Sequence, residues 1–521
     1  MKSKPRGLRE GSLSGFVWSL GGSGAQAVLR VAVLAVLARL LTPEDFGLLG
    51  AALIVVGLSE IFCFIGVAPS IVQRSELEPR HVETAWTISL LFGIATTVII
   101  YACAPLVGSF FRMKELIPVV QLTSLVFTFH GVSLVGRALL QRNLQFKILA
   151  ICEFAAFLVY AIVGIVFALL DYGVSALVAA YLSAAAASTL LILSIQRHEM
   201  GFRIDSSACR ELLGFGIGMS LNNLLNYLAR QGDNLVVGRW LGSSALGAYG
   251  RAYALMAAPV AIAGQVMDTV LFASVARVQR DKPKMGRAFR SVTTVVAVMT
   301  LPVSALCLIA APEMIYVLLG PKWSLVVAPF RVLALGMFFR VAYKIGGAVN
   351  RGVGAVYRMA WRQAVYAAVI LGGSLIAQYW GLSAVAFAVF LGLAIAYILS
   401  TGLTLSLLDI GWDELGILLS APLLLSIVSA LPAWVVVSAA RAVGMPSIVS
   451  LLLTGLAWAL ALQIMLRVRA AWFVDSYTYG ILRDMSARIP LASSVLSWVL
   501  PLESVVPGAS ERIDVVEHPS Q

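Results

Sequence analysis

The stretch ARLLTPEDFGLLGAA at residues 38–52 has a counterpart in GRWLGSSALGAYGRA at residues 238–252. An offset of 200 residues places like residue on like residue over both stretches and over the helix before each of them. The matching pairs are Arg30 with Arg230, Arg39 with Arg239, Leu41 with Leu241, Gly47 with Gly247, Gly50 with Gly250 and Ala52 with Ala252. Because two unrelated apolar helices rarely align both arginines and glycines, the pattern indicates an internal repeat.

The composition around this repeat is that of a membrane protein. Of 521 residues, 60% are hydrophobic and 12% are charged, a balance far from that of soluble domains. Since a spanning helix needs about 20 apolar residues, we predict an all-α polytopic protein with about fourteen spans. The apolar runs lie near residues 13–41, 46–72, 84–110, 116–136, 148–170, 173–195, 211–240, 246–276, 291–311, 323–349, 363–380, 383–408, 415–438 and 446–466.

The basic residues predict how these spans are oriented. They concentrate in alternate connections, as in the cluster from Arg277 to Arg290, and the positive-inside rule assigns those connections and both termini to the cytoplasm. Because six spans separate the two copies, the copies enter the membrane in the same direction and form parallel repeats. The expected domains are an N-lobe at 1–200, a C-lobe at 201–410, two further spans at 411–468, and a cytoplasmic amphipathic segment with a disordered tail at 469–521.

Motifs of catalysis and cofactor binding are absent from the sequence. It has no G-x-x-x-x-G-K-[ST] phosphate loop, no H-E-x-x-H zinc motif and no G-x-S-x-G elbow. The five cysteines are isolated in mostly apolar runs, which is typical of packing residues. The net charge of +12 lies in short loops and reflects membrane topology, not nucleic-acid binding. We expect no enzymatic activity, no metal and no cofactor.

Charged side chains inside the spans are the candidates for function. On insertion scales each costs roughly 2.5–3.5 kcal/mol near the bilayer centre, so they must face protein or a watery cavity. In the seventh span Asn223, Asn226 and Arg230 recur at intervals of three and four residues and form one polar stripe. Gln26 and Arg30 belong to a weaker stripe in the first span. Two such helices, one in each lobe, would line a central hydrophilic cavity.

Some of these charges have plainer explanations that the sequence leaves open. Asp233 follows Arg230 by three residues, and the two could neutralise each other as an internal ion pair. Arg340 and Lys344 lie one turn apart and carry like charges that repel each other. A bound anionic ligand would relieve this repulsion. Lys344 also fits the basic set at the cytoplasmic ends of the spans.

The remaining intramembrane charges divide in the same way. Glu60, Asp233 and Asp268 are candidate counter-charges or ion carriers, and static pairing with an arginine is the alternative. Arg39 and Arg239 lie near the outer ends of their spans, where their side chains could reach the lipid headgroups.

Two segments carry a resemblance to a known family. They are the opening SGFVWSL with the later RLLTPEDFG, and QGDNLVVGRWLGSSALGAYGRAY at residues 231–253 followed by PVAIAGQVMDTVLF. On these segments the chain resembles the Wzx-type polysaccharide-transport family, which contains lipid-linked oligosaccharide flippases of the multidrug/oligosaccharidyl-lipid/polysaccharide exporter superfamily. The resemblance covers residues 12–410.

This resemblance implies two six-helix lobes around a cationic cavity, with two further helices at the C-terminal end. It implies outward flipping of an undecaprenyl-pyrophosphate-linked glycan repeat unit across the bacterial inner membrane, for lipopolysaccharide or exopolysaccharide biosynthesis. A polysaccharide polymerase and export machinery would act next, and membrane lipid is a further partner. The implied substrate-binding residues are Arg30, Arg230, Arg251, Arg340, Lys344, Asn223, Asn226 and Gln26, and the ion-coupling candidates are Asp233, Glu60 and Asp268.

Three other classes of function stay open at this point. A cation-coupled multidrug exporter of the same superfamily shares the architecture, although cationic drugs favour acidic cavities and these spans hold more basic than acidic residues. A membrane-embedded glycan polymerase or ligase usually displays a large external loop, whereas the predicted external connections are short. A purely structural scaffold does not account for so many intramembrane charges.

Overall fold

The structure is a computed structural model that describes residues 29–63, 67–74, 76–196, 201–202, 205–206, 209, 217–275, 282–352 and 356–468. Within these ranges the regular secondary structure is entirely helical. Gln26 and the expected C-terminal segment and tail lie outside the described residues, as do the side chains of Asn223 and Asp268.

The first half of the chain contributes helices that follow the predicted apolar runs. They are α1 (29–40), α2 (Pro43–Cys63), α3 (Val67–Gln73), α4 (Pro79–Phe111), α5 (Leu116–Thr123), α6 (Val126–Arg142), α7 (Phe146–Leu169) and α8 (Val174–Ile195). Several of these helices, among them α4 and α7, leave large apolar side chains exposed at the periphery, as lipid contact requires.

The second half and the C-terminal pair follow the same pattern. Their helices are α9 (Ile217–Val236), α10 (Ser243–Val275), α11 (Lys282–Ile309), α12 (Ala311–Leu318), α13 (Val327–Leu335), α14 (Met337–Gly352), α15 (Val356–Ala377), α16 (Leu382–Leu408), α17 (Trp412–Ala442) and α18 (Ser447–Val468). A π-helical turn at Val237–Leu241 extends α9.

Within the described residues each predicted span overlaps a whole or a broken helix, and the all-α fold is confirmed, whereas residues 13–28 of the first predicted span lie outside them. In the described ranges, nine helices are long and apolar enough to cross a membrane by length and composition. The predicted loop at 277–290 is partly wrong, because residues 282–290 form the first turns of α11. A basic segment can extend a spanning helix beyond the bilayer, since its charges then lie at the membrane surface.

The fourth span of each half is broken at a corresponding place. In the first half the break falls at Ser124 and Leu125 between α5 and α6, and in the second half it falls at Gly336 between α13 and α14. The Ser124 hydroxyl donates to the Gln121 carbonyl at 2.6 Å, which satisfies backbone freed by the break. The breaks at Ser124 and Gly336 are 212 residues apart (336 − 124), so they occur in corresponding spans but not at the 200-residue offset of the sequence repeat.

The C-terminal pair is fastened to α11 along its length. Arg290 of α11 forms an ion pair with Glu414 of α17 at 2.7 Å, near one end of both helices. In the middle of the helices the Ser426 hydroxyl donates to the Leu301 carbonyl at 2.9 Å. These contacts attach α17, and α18 packed on it, to the second half of the chain.

The opposite end of α17 is held by a two-bond ion pair. Arg441 donates from Nε and Nη2 to the two carboxylate oxygens of Glu313 on α12, each at 2.8 Å, and to the Ile309 carbonyl at 2.9 Å. Burial alone would raise the pKa of Glu313, but hydrogen bonds from Arg441 outweigh burial and lower that pKa. The Glu313 carboxylate is therefore ionised at neutral pH.

Candidate functional site

Two glycines bring the halves of the chain into backbone contact. A Cβ atom on Gly47 would lie 1.8 Å from the Ser243 carbonyl oxygen, and a Cβ atom on Gly247 would lie 1.8 Å from the Pro43 carbonyl oxygen. Only glycine permits such an approach, because any side chain would overlap the opposite backbone. Pro43 and Gly47 lie 200 positions before Ser243 and Gly247, so the two contacts are related by the internal repeat. We call these four residues the seam.

Aromatic residues flank the seam with the same symmetry. The Trp323 indole N–H, from the connection before α13, donates to the Ala38 carbonyl of α1 at 2.7 Å. On the other side, a Cβ atom on Gly238 would lie 2.9 Å from the ring of Phe111 at the end of α4. Ala38 and Gly238 are again 200 residues apart. The seam is thus sealed on both sides by a bulky residue from the opposite half.

Arg39 and Arg239 add a cation to each of these contacts. The Arg39 guanidinium donates from Nη2 to the Val317 carbonyl of the opposite half at 2.5 Å. The Arg239 guanidinium stacks on Phe110 of the opposite half at 5.4 Å and on its neighbour Trp240 at 5.7 Å. Both arginines therefore contact protein across the halves instead of only reaching the lipid headgroups.

A polar cavity lies toward the other end of the spans. It has a volume of about 300 Å³ and lies between α9, α14, α15 and α16. Its lining residues are Asn226, Tyr343, Lys344, Gly347, Ala348, Asn350, Met359, Arg362, Gln363, Tyr366, Ala396 and Ser400. The seam lies where α2 and α10 begin, whereas the cavity extends to the end of α14 and the start of α15, which chain direction places at the opposite membrane face.

Two of the predicted substrate-binding residues line this cavity, and a third lies one helical turn from one of them. Asn226 and Lys344 are lining residues. Arg340 lies one turn before Lys344, is largely buried, and stacks on Tyr253 with 4.4 Å between its guanidinium carbon and the ring centroid. The expected repulsion between these two like charges is therefore reduced, because Arg340 faces the aromatic ring while Lys344 is exposed.

Three further candidates lie apart from the polar cavity. Arg30 is exposed and stacks on Phe157 of α7 at 5.5 Å. Arg230 is exposed on α9, three residues after Tyr227. Arg251 does not line the cavity, because it lies beside the seam with its guanidinium 4.6 Å from the ring of Phe46.

Tyr227 joins the Arg230 face of α9 to the first half of the chain. Its hydroxyl donates to the Ile54 carbonyl at 2.6 Å, and its ring packs where a Cβ atom on Gly57 would fall. Arg230 therefore lies next to the boundary between the two halves. Such a position suits a group that contacts a substrate moving between them.

The acidic candidates have partners other than the expected arginines. Asp233 is buried and accepts the Tyr249 hydroxyl at 2.7 Å on one carboxylate oxygen, so the alternative of an Arg230–Asp233 pair is not what the structure contains. Glu60 accepts from His130 Nδ1 at 2.9 Å. Among the described residues no group of three or more His, Cys, Asp or Glu side chains converges as a metal site would.

The sequence pattern of the polysaccharide biosynthesis protein family matches residues 36–328, more than half of the chain. The chain belongs to the polysaccharide biosynthesis protein family. The matched region begins in α1, contains both glycines of the seam, and ends at the start of α13. Membership confirms the predicted family and the class of protein, a transporter and not an enzyme.

Two relatives are similar to the chain over somewhat more than half of its length. The lipopolysaccharide biosynthesis protein WzxC of Escherichia coli K12 is 27% identical over 65% of this chain and 70% of its own length. The succinoglycan biosynthesis transport protein ExoT of Rhizobium meliloti is 26% identical over 61% of this chain and 64% of its own length.

Solved structures share the fold of this family member. The lipid II flippase MurJ, in an inward closed conformation, aligns with a TM-score of 0.67 and 13% identity over 85% of this chain and 98% of that chain. An inward-facing multidrug resistance transporter of the MATE family aligns with a TM-score of 0.59 and 17% identity over 74% and 94%. Both confirm a helical, multi-pass membrane fold, and at these identities they carry no argument about substrate.

Sequence reasoning missed two cavity residues outside the family match. Neither residue was among the candidates, because Arg362 lies just before the predicted eleventh span, where a basic residue indicates topology, and Gln363 is the first residue of that span. A signal for them exists, because Met359, Arg362 or Gln363, and Tyr366 recur at three and four residues on α15 and face Tyr343 and its neighbours on α14.

Proposed function

We propose that this protein flips a polyprenyl-pyrophosphate-linked oligosaccharide between the two leaflets of a membrane by alternating access. Undecaprenyl is the expected carrier and the bacterial inner membrane the expected site. Family membership supports the proposal. So do the names of its relatives, which refer to lipopolysaccharide biosynthesis and succinoglycan transport. The fold neighbour named as a lipid II flippase is consistent with it.

The observation that carries the proposal is the close contact between the halves at one end of the described helices. The seam joins the halves where α2 and α10 begin, and the polar cavity lies toward the opposite face. Alternating access requires a substrate path that is closed on one side while a binding site is reachable from the other. In this proposal the moving units are the N-lobe (1–200) and the C-lobe (201–410), with 411–468 carried by the C-lobe through the Arg290 and Arg441 ion pairs.

The chemistry of the substrate fits the charges near the cavity and the lobe boundary. A pyrophosphate is a dense anion, and guanidinium groups can donate two parallel hydrogen bonds to its oxygens. The glycan is too polar for about 30 Å of hydrocarbon and needs a wet path, whereas the polyprenyl tail can remain in lipid. Arg30 and Arg230, both exposed, are proposed as the first phosphate or acidic-sugar contacts. Arg340 and Lys344 would hold the anion within the C-lobe.

Ion coupling is assigned to the acidic residues within the spans. Asp233 is the strongest of the three candidates, since one carboxylate oxygen holds Tyr249 and the other is buried with no hydrogen-bond partner in the described part of the chain. Glu60 would couple through His130, its partner. Asp268 completes the proposed set.

The orientation of the protein completes the proposal. With both termini cytoplasmic, the polar cavity faces the cytoplasm and the seam faces outward. A glycan assembled on the inner leaflet would enter the cavity, and opening of the seam would release it outside. A polysaccharide polymerase and export machinery would then receive it.

The proposal is tested by replacing the two exposed arginines in cells. Arg30→Ala and Arg230→Ala should each abolish export of the glycan while the protein stays inserted and abundant. Arg112→Ala, exposed at the end of α4, serves as the control and should leave export unchanged. Full export in both test variants would refute the assignment of these arginines.

A further inference from the structure

The polar cavity combines two kinds of binding group on facing helices. On its walls Tyr343 of α14 and Tyr366 of α15 lie with ring centroids 6.1 Å apart and planes tilted by 31°. Lys344 of α14 and Arg362 of α15 lie beside these rings as neighbouring lining residues. Aromatic faces favour the apolar face of a sugar ring, and cations favour phosphate, so the cavity offers both at once.

Gln363 supplies a polar group that the protein itself does not use. Its side chain is partly buried at the cavity wall, and in the described residues its amide has no hydrogen-bond partner. By contrast, the amide of Asn350 in the same cavity is already hydrogen-bonded within the protein, since it donates to the Ser400 carbonyl at 3.2 Å and accepts from Thr404 at 3.1 Å. An amide offers two donors and an acceptor, a combination suited to hydroxyl groups. Gln363 is thus available to bind a ligand, whereas Asn350 holds α14 against α16.

Arg362 is fixed but retains donors. Its Nε donates to the Leu399 carbonyl at 3.0 Å, its Nη1 donates to the Arg358 carbonyl, and its guanidinium stacks on Trp361 at 4.6 Å. A guanidinium carries five N–H groups, so these two bonds leave donors for an anion. A preorganised arginine loses less side-chain entropy when it binds.

The size of the cavity limits what can occupy it. A cavity of about 150 Å³ is large enough for one benzene molecule, so a volume of about 300 Å³ has room for one pyranose ring and an adjoining phosphate group. Because phosphate-binding and sugar-binding groups share this small volume, the ligand must carry a phosphate and a sugar next to each other.

We infer that the polar cavity binds the sugar attached directly to the pyrophosphate of the lipid-linked glycan, and that Gln363 recognises this sugar. The inference rests on the proposed function and adds a selectivity site to it. Lys344 and Arg362 contact the phosphates, the two tyrosine rings face the sugar ring, and the Gln363 amide bonds its hydroxyl groups. A carboxylate-bearing sugar further along the glycan has the same chemistry and is the competing source.

The test measures equilibrium binding to purified protein in detergent, without transport. The probes are farnesyl pyrophosphate and farnesyl pyrophosphate that carries one neutral hexose. The test variant is Gln363→Leu, and the matched control is Gln141→Leu, a partly buried glutamine near the end of α6. Gln363→Glu, which keeps acceptors and loses donors, provides a second variant if the leucine variant is poorly folded.

We expect Gln363→Leu to weaken binding of the hexose-bearing probe about tenfold, as loss of specific hydrogen bonds predicts. Binding of farnesyl pyrophosphate should change less than about twofold, and Gln141→Leu should leave both unchanged. Arg362→Ala should weaken both probes. Equal affinity of Gln363→Leu and wild type for the hexose-bearing probe, or an equal loss for both probes, overturns the inference. The proposed function fails on a different observation, namely that the wild-type protein does not flip the lipid-linked glycan in vesicles.

Discussion

Adding one methyl group at the seam should open it. In Gly47→Ala the new Cβ would lie 1.8 Å from the Ser243 carbonyl oxygen, and ordinary contact begins near 3.4 Å, so the two backbones must separate by about 1.6 Å. Both partners are backbone atoms and cannot rotate away. Overpacking of this kind costs about 1–3 kcal/mol, and here the cost is confined to the state in which the seam is closed.

That cost sets the size of the expected shift between states. A difference of about 1–3 kcal/mol displaces a two-state equilibrium by about 5-fold to 150-fold. The assay is the labelling rate of Ala51→Cys by a membrane-impermeant thiol reagent, in a background without the native cysteines. Ala51 lies one turn beyond Gly47 on the same face of α2 and is fully buried. Labelling should accelerate in Gly47→Ala by a factor within that range.

The chain supplies a matched control for the same assay. Gly50→Ala adds the same methyl group on the same helix, where it would meet only Leu246 at 3.7 Å, an ordinary contact. Gly247→Ala should reproduce the effect of Gly47→Ala from the other half, because its Cβ would overlap Pro43. Equal labelling of Ala51→Cys in the Gly47→Ala and Gly50→Ala backgrounds would refute the seam as a closed gate.

Three further predictions follow from individual contacts. Because the pKa of Glu313 is lowered, its ion pair with Arg441 contributes stability above the ordinary carboxyl pKa of 4.5 and loses it as the pH falls through the lowered value, so Glu313→Gln should cost about 1–2 kcal/mol at pH 7 and less at pH 3. Thermal unfolding in detergent at both pH values checks this, and an equal cost at both would contradict it. Asp233→Asn keeps an acceptor for Tyr249 but cannot carry charge, so flipping should lose its dependence on an ion gradient, and an unchanged dependence would exclude this carboxylate. Trp323→Phe removes an indole donor and should lower stability by about 1 kcal/mol, measured as the shift in unfolding midpoint, with no shift arguing against that bond.

The fold could be predicted because its signals are local. An apolar run of sufficient length specifies a spanning helix whatever surrounds it, which is why the predicted runs coincide with helices. The repeat was legible for a similar reason, since Gly47 and Gly247 stand at matching places in the sequence. The role of these glycines could not be predicted from the sequence, because the close approach of the two backbones also involves Ser243 and Pro43. Only the packing of the halves brings those residues to the glycines.

The candidate site was harder to predict, because it depends on which helix faces which. The family resemblance placed Arg251 with the cavity residues, yet the fold turns it toward Phe46 beside the seam. Arg362 was not among the candidates, since a basic residue near a span end indicates topology in any membrane protein. Its place in the cavity follows from the packing of α15 against α14, which no local pattern specifies.

The most direct test of the central claim is flipping by purified protein in liposomes. Vesicles would contain a polyprenyl-pyrophosphate-linked oligosaccharide, and a membrane-impermeant lectin or glycosidase would report how fast the glycan becomes exposed. The account predicts exposure that requires the protein and is lost in Arg230→Ala. No exposure with several glycans, together with uptake of a cationic dye under an ion gradient, would contradict it and identify a drug exporter.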